Sequence, residues 1–213
     1  MIKGIIFDMD GVIIDSNHFH FENWQEVFEK RYHVKIDEKE FASRLGESGK
    51  HFTEYFLEKY KVKADINELY ALLYGEYMKR RDSVKLKPGV IDTLKILKPK
   101  YKIALATGAD KEGAAYTIVT HGLTDYFDFV IGGNEVKRAK PDPEIFLKAA
   151  EMIKIPPEQC CVIEDAVFGL SAAKSAGMLA ISIPDKMTLC QDHSIADIHL
   201  NSIKLLPDAL SLL

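Results

Sequence analysis

Residues 2–11 read IKGIIFDMDG, and this stretch decides the fold. Its isoleucine-rich apolar run ends at Phe7, and two carboxylates separated by one residue, Asp8 and Asp10, follow directly. Continuous apolar runs of this length are typical of strands buried on both faces of a parallel sheet. Gly11 permits a sharp turn, so both carboxylates can face one crevice. An isolated DxDG motif is equally consistent with a loop of solvated aspartates, so its meaning depends on the rest of the chain.

Similar apolar runs recur in the second half of the chain. They span residues 103–106, 129–131, 160–163 and 178–183, and helix-like segments separate them at 110–122, 142–153 and 166–177. This alternation predicts the α/β fold class, with a doubly wound parallel sheet as the core.

The stretch from about residue 15 to residue 83 breaks the alternation. It contains helix-like segments at 18–32, 37–45, 49–60 and 65–82, and no convincing strand. A proline-glycine pair at 88–89 marks the return to the core. We therefore predict a core domain of residues 1–14 and 84–213 and a helical cap domain of residues 15–83. An insertion at this point would lie over the end of the sheet where open α/β proteins bind ligands.

Composition limits the classes of protein to which the chain can belong. The 213 residues are 47% hydrophobic, enough for one sizeable core and a small second domain. The 28 basic and 32 acidic side chains give a net charge of -4 without a long run of either sign, so we expect no nucleic-acid partner. The sequence shows neither a signal peptide nor an apolar run long enough to span a bilayer. We expect a cytoplasmic monomer without a membrane partner.

Polar residues follow further strand-like runs. Thr107 and Gly108 follow IALA, Glu164 and Asp165 follow CCVI, and Lys140 begins the sequence KPDP. Because the carboxyl ends of parallel strands meet at one edge of the sheet, these residues are expected to lie close to the first strand's aspartates.

The residue types at this edge suit phosphate chemistry. Asp8, Glu164 and Asp165 would form an oxygen-rich cluster suited to Mg²⁺, a hard cation that keeps waters and substrate oxygens in its coordination shell. Lys140 would balance the carboxylates. The Thr107 hydroxyl and nearby backbone N–H groups would hold phosphate oxygens.

Four motifs then occur in a fixed order: FDMDG at 7–11, ATG at 106–108, KPDP at 140–143 and VIEDAVFGLSAAKSAGM at 162–178. Together they resemble the motifs of the haloacid dehalogenase superfamily, within the subfamily of helical-cap phosphatases and β-phosphoglucomutase-like enzymes. The resemblance covers essentially the whole chain. It implies a Rossmann-like core with an inserted α-helical cap, a small phosphate ester as substrate and Mg²⁺ as cofactor.

The resemblance also implies individual roles. Asp8 would be the nucleophile and a metal ligand, and Asp10 the general acid and base, with its backbone carbonyl on the metal. Asp165 would be the main remaining metal ligand, with Glu164 beside it. The residues that would bind the transferring phosphoryl group are Thr107, Gly108 and Lys140.

Elementary electrostatics supports these roles. A carboxylate that attacks a phosphate dianion meets charge repulsion, so Mg²⁺ and Lys140 must neutralise the phosphoryl oxygens before Asp8 can approach in line. Asp10 could then protonate the leaving alkoxide and later activate water, a contribution of about 10²–10⁴-fold.

Two features of the predicted cap have alternative interpretations. His20 and Trp24 lie one helical turn apart, a spacing that favours packing; the family resemblance, however, makes His20 a candidate substrate-binding residue. Residues 44–50, RLGESGK, form either a plain helix connection or a loop that selects the substrate. In the second case Gly46, Ser48 and Lys50 would bind the substrate.

The sequence of this loop helps to distinguish two candidate activities, a phosphatase and a phosphomutase. β-Phosphoglucomutases place an arginine after the loop serine to grip a second phosphate, whereas this chain has Gly49 followed by Lys50. Ala109 and Asp110 also replace polar and basic residues expected in the mutase. We therefore predict a phosphatase, that is, a phosphoric monoester hydrolase acting on a small phosphorylated metabolite such as a sugar phosphate. A phosphomutase is the alternative, and an inactive binding module of the same fold is a remote one.

Overall fold

The computed structural model describes residues 1–213, and six parallel strands form its central sheet. The strands are β1 (Gly4–Phe7), β2 (Lys102–Ala106), β3 (Phe129–Ile131), β4 (Cys160–Glu164), β5 (Leu179–Ser182) and β6 (Ile198–His199). Their spatial order is β3-β2-β1-β4-β5-β6, with β1 between β2 and β4. This is a doubly wound order, in which ligands bind beyond the carboxyl ends of the strands on either side of the reversal. The predicted α/β fold class is confirmed.

Nine α-helices accompany the sheet. They are α1 (Asn17–Tyr32), α2 (Glu38–Arg44), α3 (Gly49–Lys59), α4 (Ile66–Met78), α5 (Val90–Leu97), α6 (Lys111–Thr120), α7 (Glu144–Met152), α8 (Val167–Ser175) and α9 (Leu206–Ser211). None is long and apolar enough to cross a membrane.

The sheet separates two hydrophobic layers. Ile5 and Phe7 of β1 belong to a cluster with buried residues of α5, α6 and α9. Ile6, which faces the other way along the same strand, belongs to a cluster with residues of α7 and α8. Side chains alternate between the two faces of a strand, so β1 is apolar throughout because helices cover both of its faces.

Helices α1 to α4 pack around an aromatic core of their own. Trp24 of α1 lies 5.0 Å from Phe52 and 5.5 Å from Phe56 of α3, measured between ring centroids. The side chains of Asp37 and Asp65 accept hydrogen bonds from backbone N–H groups in the first turns of α2 and α4. Both residues are therefore N-caps, which pair N–H groups that have no partner within the helix. These helices fall within the predicted cap interval; the domain boundaries themselves stay a prediction.

Asp128, which directly precedes the edge strand β3, links this strand to its neighbour β2. Its carboxylate accepts hydrogen bonds from the Ile103 backbone N–H at 2.8 Å and from Lys102 Nζ at 3.0 Å, and it pairs with Lys98 at 2.8 Å. Burial opposes ionisation, but these donors lower the pKa of Asp128 to about 2. The ionised carboxylate therefore joins β3 to the start of β2.

We expect Asp128→Asn to lower the melting temperature at pH 7 by roughly 2–4 °C, because the amide loses the charge-assisted contacts. The pKa is lower in the folded than in the unfolded state, so this stabilisation is complete above the unfolded pKa of about 4 and is lost as the pH falls toward 2. The gap between wild type and variant should therefore narrow in melts recorded from pH 5 downward. The exposed Asp125→Asn is the control, and a gap that persists unchanged at low pH would contradict the assignment.

Candidate active site

Three carboxylates meet where β1 and β4 lie side by side. Asp8 follows β1, Glu164 is the last residue of β4, and Asp165 comes next. One carboxylate oxygen from each lies within 4.8 Å of the others, and all three residues are buried. The parallel pairing of Phe7 with Ile163 brings the two strand ends to the same level.

Lys140 lies between two of these carboxylates. Its Nζ donates to Asp8 Oδ1 at 2.5 Å and to Glu164 Oε1 at 2.6 Å, and its side chain is only 7% exposed. Burial alone would lower the pKa of Lys140, but the two carboxylates raise it. The ammonium therefore remains charged and links the ends of β1 and β4.

Negative charge remains in excess at this cluster. Burial, together with the charges of Glu164 and Asp10, raises the pKa of Asp8 to about 8 despite the contact with Lys140. Burial and the neighbouring carboxylates also raise the pKa of Asp165 well above its ordinary value. Three carboxylates thus face one ammonium, and a bound cation would remove this imbalance.

Asp10 has different surroundings. Ser16 Oγ donates to its Oδ1 at 2.5 Å, the His20 ring nitrogen Nε2 lies 3.4 Å from the same oxygen, and Thr107 Oγ1 lies 3.5 Å from Oδ2. Burial opposes ionisation of Asp10, but the contacts with His20 and Ser16 lower its pKa. Neighbouring aspartates in one motif therefore have pKa values shifted in opposite directions.

The turn after β1 brings the backbone against Asp165. Gly11 has a φ of +76°, and a Cβ at this position would lie 2.1 Å from Asp165 Oδ2, so only glycine fits. Asn17 Nδ2 and Thr188 Oγ1 donate to the same oxygen at 2.9 and 3.2 Å. Asp165 is thereby oriented with its other oxygen, Oδ1, free of these bonds.

A cavity of about 230 Å³ lies between helices α1 to α4 and the carboxyl end of the sheet. The predicted site residues that line it are Asp8, Asp10, His20, Gly46, Gly108, Lys140, Glu164 and Asp165. Thr107 is fully buried beneath it and accepts a hydrogen bond from the Ala109 backbone N–H at 3.1 Å. Residues predicted from four separate motifs thus lie together at the carboxyl end of the sheet.

Two predicted loop residues do not reach this cavity. Ser48 is the N-cap of α3, where its hydroxyl accepts from the His51 backbone N–H at 3.3 Å. Lys50 lies in the first turn of α3 and is exposed. The loop instead contributes Leu45, Gly46, Glu47 and Gly49 to the cavity wall.

Comparison with known proteins agrees with this geometry. The family model for haloacid dehalogenase-like hydrolases matches residues 2–177.

The chain belongs to the haloacid dehalogenase-like hydrolase family. The resemblance seen in the motifs is confirmed, and so is the predicted enzyme class, a phosphoric monoester hydrolase. The fructose-1-phosphate phosphatase YqaB of Escherichia coli is 33% identical over 182 residues, which cover 84% of this chain and 95% of that protein. The β-phosphoglucomutase of Bacillus subtilis is 33% identical over 192 residues, 85% of this chain and 83% of that protein. The structure of CbbY from Rhodobacter sphaeroides with phosphate matches with a TM-score of 0.84 at 26% identity and covers 97% of this chain and 96% of that one.

Several residues that line the cavity were not predicted from the sequence. Tyr70, Tyr74 and Tyr77 line the cavity from α4, and the Tyr77 ring stacks on His20 with centroids 4.1 Å apart. Their spacing of four and three residues places them on one helix face, a pattern that an ordinary packed face also shows. Ser16 and Asn17, which contact Asp10 and Asp165, follow the first motif by five and six residues and carry no pattern of their own.

The two adjacent acids of the hydrolase site should differ in their effect on metal dependence. Glu164 already accepts from Lys140 with Oε1 and from the Asp165 and Ala166 backbone N–H groups with Oε2, whereas Asp165 has an oxygen to spare. We expect Asp165→Asn to raise the half-saturating Mg²⁺ concentration by more than about 10-fold, and Glu164→Gln to raise it less.

Phosphatase activity titrated with Mg²⁺ after chelation measures this difference. The exposed Asp208→Asn serves as the control variant. The reverse order of the two variants would mean that Glu164 is the principal ligand.

Proposed function

We propose that this enzyme is a Mg²⁺-dependent phosphatase that hydrolyses a small sugar phosphate through an aspartyl-phosphate intermediate on Asp8. The observation that carries the proposal is the buried cluster of Asp8, Glu164 and Asp165 around the Lys140 ammonium. We further propose a cytoplasmic enzyme that works as a monomer.

The donor set fits a magnesium ion. All ligand atoms offered by Asp8, Glu164 and Asp165 are carboxylate oxygens, the type that Mg²⁺ prefers. The three carboxyl groups outnumber the one Lys140 ammonium by two, so a divalent cation would allow all three to ionise. Burial and this lack of positive charge raise the pKa of Asp8. Bound Mg²⁺ would offset negative charge on the phosphoryl oxygens and the carboxylates.

Asp8 and Lys140 would carry the first half of the reaction. Lys140 would hold a phosphoryl oxygen and, together with a bound Mg²⁺, would favour the ionised form of Asp8 that attacks phosphorus. As the bond from an Asp8 oxygen to phosphorus forms, the bond from phosphorus to the leaving oxygen breaks. Thr107 and the backbone at Gly108 would contribute donors to the transferring group.

Asp10 would serve both halves. In the first half it gives a proton to the leaving oxygen; in the second it takes one from the water that attacks the phosphorus on Asp8. The contacts of Ser16 and His20 hold Asp10 as a carboxylate, the form needed for the second half. Its proton for the first half must therefore arrive with the substrate or solvent.

The size of the cavity and the relatives support a small carbohydrate ester. About 230 Å³ accommodates a compact ligand, and one relative is a fructose-1-phosphate phosphatase. The panel that identifies the substrate should therefore begin with hexose and pentose monophosphates.

Removing the nucleophile tests the proposal directly. Asp8→Asn should lower kcat with p-nitrophenyl phosphate by at least about 10³-fold, because an amide cannot attack phosphorus. Circular dichroism should show an unchanged fold. Turnover equal to that of the wild type would remove Asp8 from the nucleophilic role.

A phosphomutase is the second candidate, since the β-phosphoglucomutase of Bacillus subtilis is as similar in sequence as the phosphatase YqaB. A mutase needs a cationic grip on the phosphate that is not reacting. Lys50 is exposed and does not line the cavity. Arg81 does line it, so a grip from the turn that follows α4 is the arrangement under which this second function would operate.

Product analysis separates the two functions. Incubation with β-glucose 1-phosphate, with and without glucose 1,6-bisphosphate, should release inorganic phosphate in both cases. The reason is that water can reach phospho-Asp8 once the dephosphorylated sugar leaves. Glucose 6-phosphate as the main product, with little free phosphate, would establish the mutase instead.

A further inference from the structure

Asp185 is a buried acid outside the carboxylate cluster described above. It lies in the turn that follows β5 and is only 2% exposed. The other buried acids are Asp8, Glu164 and Asp165, and all three belong to the cluster. An aspartate is rarely buried unless it is paired, and no step of the phosphoryl transfer proposed above uses Asp185. Its contacts indicate what it does.

Lys87 supplies the counter-charge of Asp185. Its Nζ donates to Asp185 Oδ2, and Oδ1 accepts from the Met187 backbone N–H at 3.0 Å. Burial opposes ionisation, but the donation from Lys87, the Met187 N–H group and the Asn17 amide hold the pKa of Asp185 below its ordinary value. Asp185 is therefore a carboxylate with both oxygens fixed in place.

The Asn17 amide is the first connection from Asp185 to Asp165. Its nitrogen Nδ2 carries two hydrogens. It donates to Asp165 Oδ2 at 2.9 Å, and it also lowers the pKa of Asp185, as a donor toward that carboxylate does. The charge of Asp185 therefore favours the amide orientation in which nitrogen, and not oxygen, faces Asp165. An uncharged side chain at position 185 would weaken this preference.

The Thr188 hydroxyl is the second connection. Its Oγ1 accepts from the Asp185 backbone N–H at 2.8 Å, and it lies 3.2 Å from Asp165 Oδ2 and 3.3 Å from the Asp185 carbonyl oxygen. A hydroxyl has one proton to donate, and a carboxylate of the kind that binds Mg²⁺ accepts it more strongly than a carbonyl does. The proton is therefore directed to Asp165, and the N–H group that donates to the same hydroxyl strengthens this bond.

The turn that carries these groups is held at its far end as well. Gln191 Oε1 accepts from the Val167 backbone N–H at 2.8 Å. Gln191 Nε2 donates to the carbonyl oxygens of Ala42 and Leu45 at 2.8 and 3.1 Å. The segment 185–191 is thus tied at both ends, which keeps its donors in place.

We propose that Asp185 is a positioning residue for the metal ligand Asp165 and acts on it through Asn17 and Thr188. The two donors hold Asp165 Oδ2 and leave Oδ1 free for the cation, so the carboxylate is oriented before Mg²⁺ binds. This inference rests on the proposed Mg²⁺-dependent function and concerns residues that contact neither the cation nor the substrate.

The test measures Mg²⁺ affinity without turnover. Isothermal titration calorimetry of chelator-treated protein with MgCl₂ alone gives the dissociation constant for the wild type, Thr188→Val and Asp185→Asn. Thr188→Val removes the hydroxyl at nearly constant volume and should weaken Mg²⁺ binding by roughly 10-fold or more, the usual effect of losing an outer-shell partner. Asp185→Asn should weaken binding in the same direction, and Thr188→Ser, which restores the hydroxyl, should bind Mg²⁺ like the wild type.

Two matched controls separate positioning from a loss of stability. Thr93→Val removes another buried threonine hydroxyl, which donates to the Ile203 carbonyl oxygen at 3.2 Å. Asp197→Asn alters another aspartate that accepts from a lysine, Lys174, and from a backbone N–H, that of Ala180. Both controls should lower the melting temperature and leave the Mg²⁺ dissociation constant unchanged.

Hydrolysis of p-nitrophenyl phosphate supplies a second readout. At saturating Mg²⁺, Thr188→Val and Asp185→Asn should recover most of the wild-type kcat with an unchanged KM, and Thr188→Val decides the question if Asp185→Asn melts too early to titrate. Wild-type Mg²⁺ affinity in folded Thr188→Val would overturn the inference and leave the phosphatase function intact. A wild type that binds no Mg²⁺ and hydrolyses the ester in excess chelator would instead refute the Mg²⁺-dependent function on which the inference rests.

Discussion

The buried contact of the Lys140 ammonium with Asp8 and Glu164 is the interaction on which the site depends. Parallel pairing of β1 with β4 forces carboxylates from two strand ends together. Like charges at this distance in a buried environment oppose ionisation. Lys140 stabilises two of the three carboxylates, and the remaining imbalance makes the site suited to a divalent cation. The clustering of carboxylates that would destabilise a purely structural core is thus the property that suits this site to a divalent cation, and a bound cation would in turn favour a phosphate ester.

The first helix couples the cap interval to this charge balance. Residues 8–16 connect β1 to α1. Ser16 and His20 contact Asp10, and Asn17 contacts Asp165. A movement of α1 away from the sheet would remove donors from both aspartates together. The same short segment, residues 16–20, therefore contacts both aspartates.

Much of the core could be predicted from sequence because strands buried on both faces are apolar without interruption, as residues 4–7 and 160–163 are. The strand ends then placed the motif residues on one rim. Helix α5 and the two-residue strand β6 escaped prediction because their patterns are too short to stand out. In the loop at 44–50, Ser48 and Lys50 were expected at the cavity, but Glu47 lines it. Which loop residues turn inward depends on contacts with Ala166 and Gln191, more than a hundred residues away in the chain.

Strand-end residues could be predicted and loop residues could not, and the physical reason for this difference also bears on specificity. Residues at strand ends are positioned by the hydrogen-bonded ladder of the sheet, which tolerates little displacement, so the reacting group meets the same geometry whatever ester it belongs to. The far wall is built from α4 and a loop held by a few side-chain contacts, and a single substitution there changes its charge. A change of side chain on that wall would alter which leaving groups are stabilised but not how phosphorus is attacked. Selectivity can therefore change without a change in the phosphoryl site.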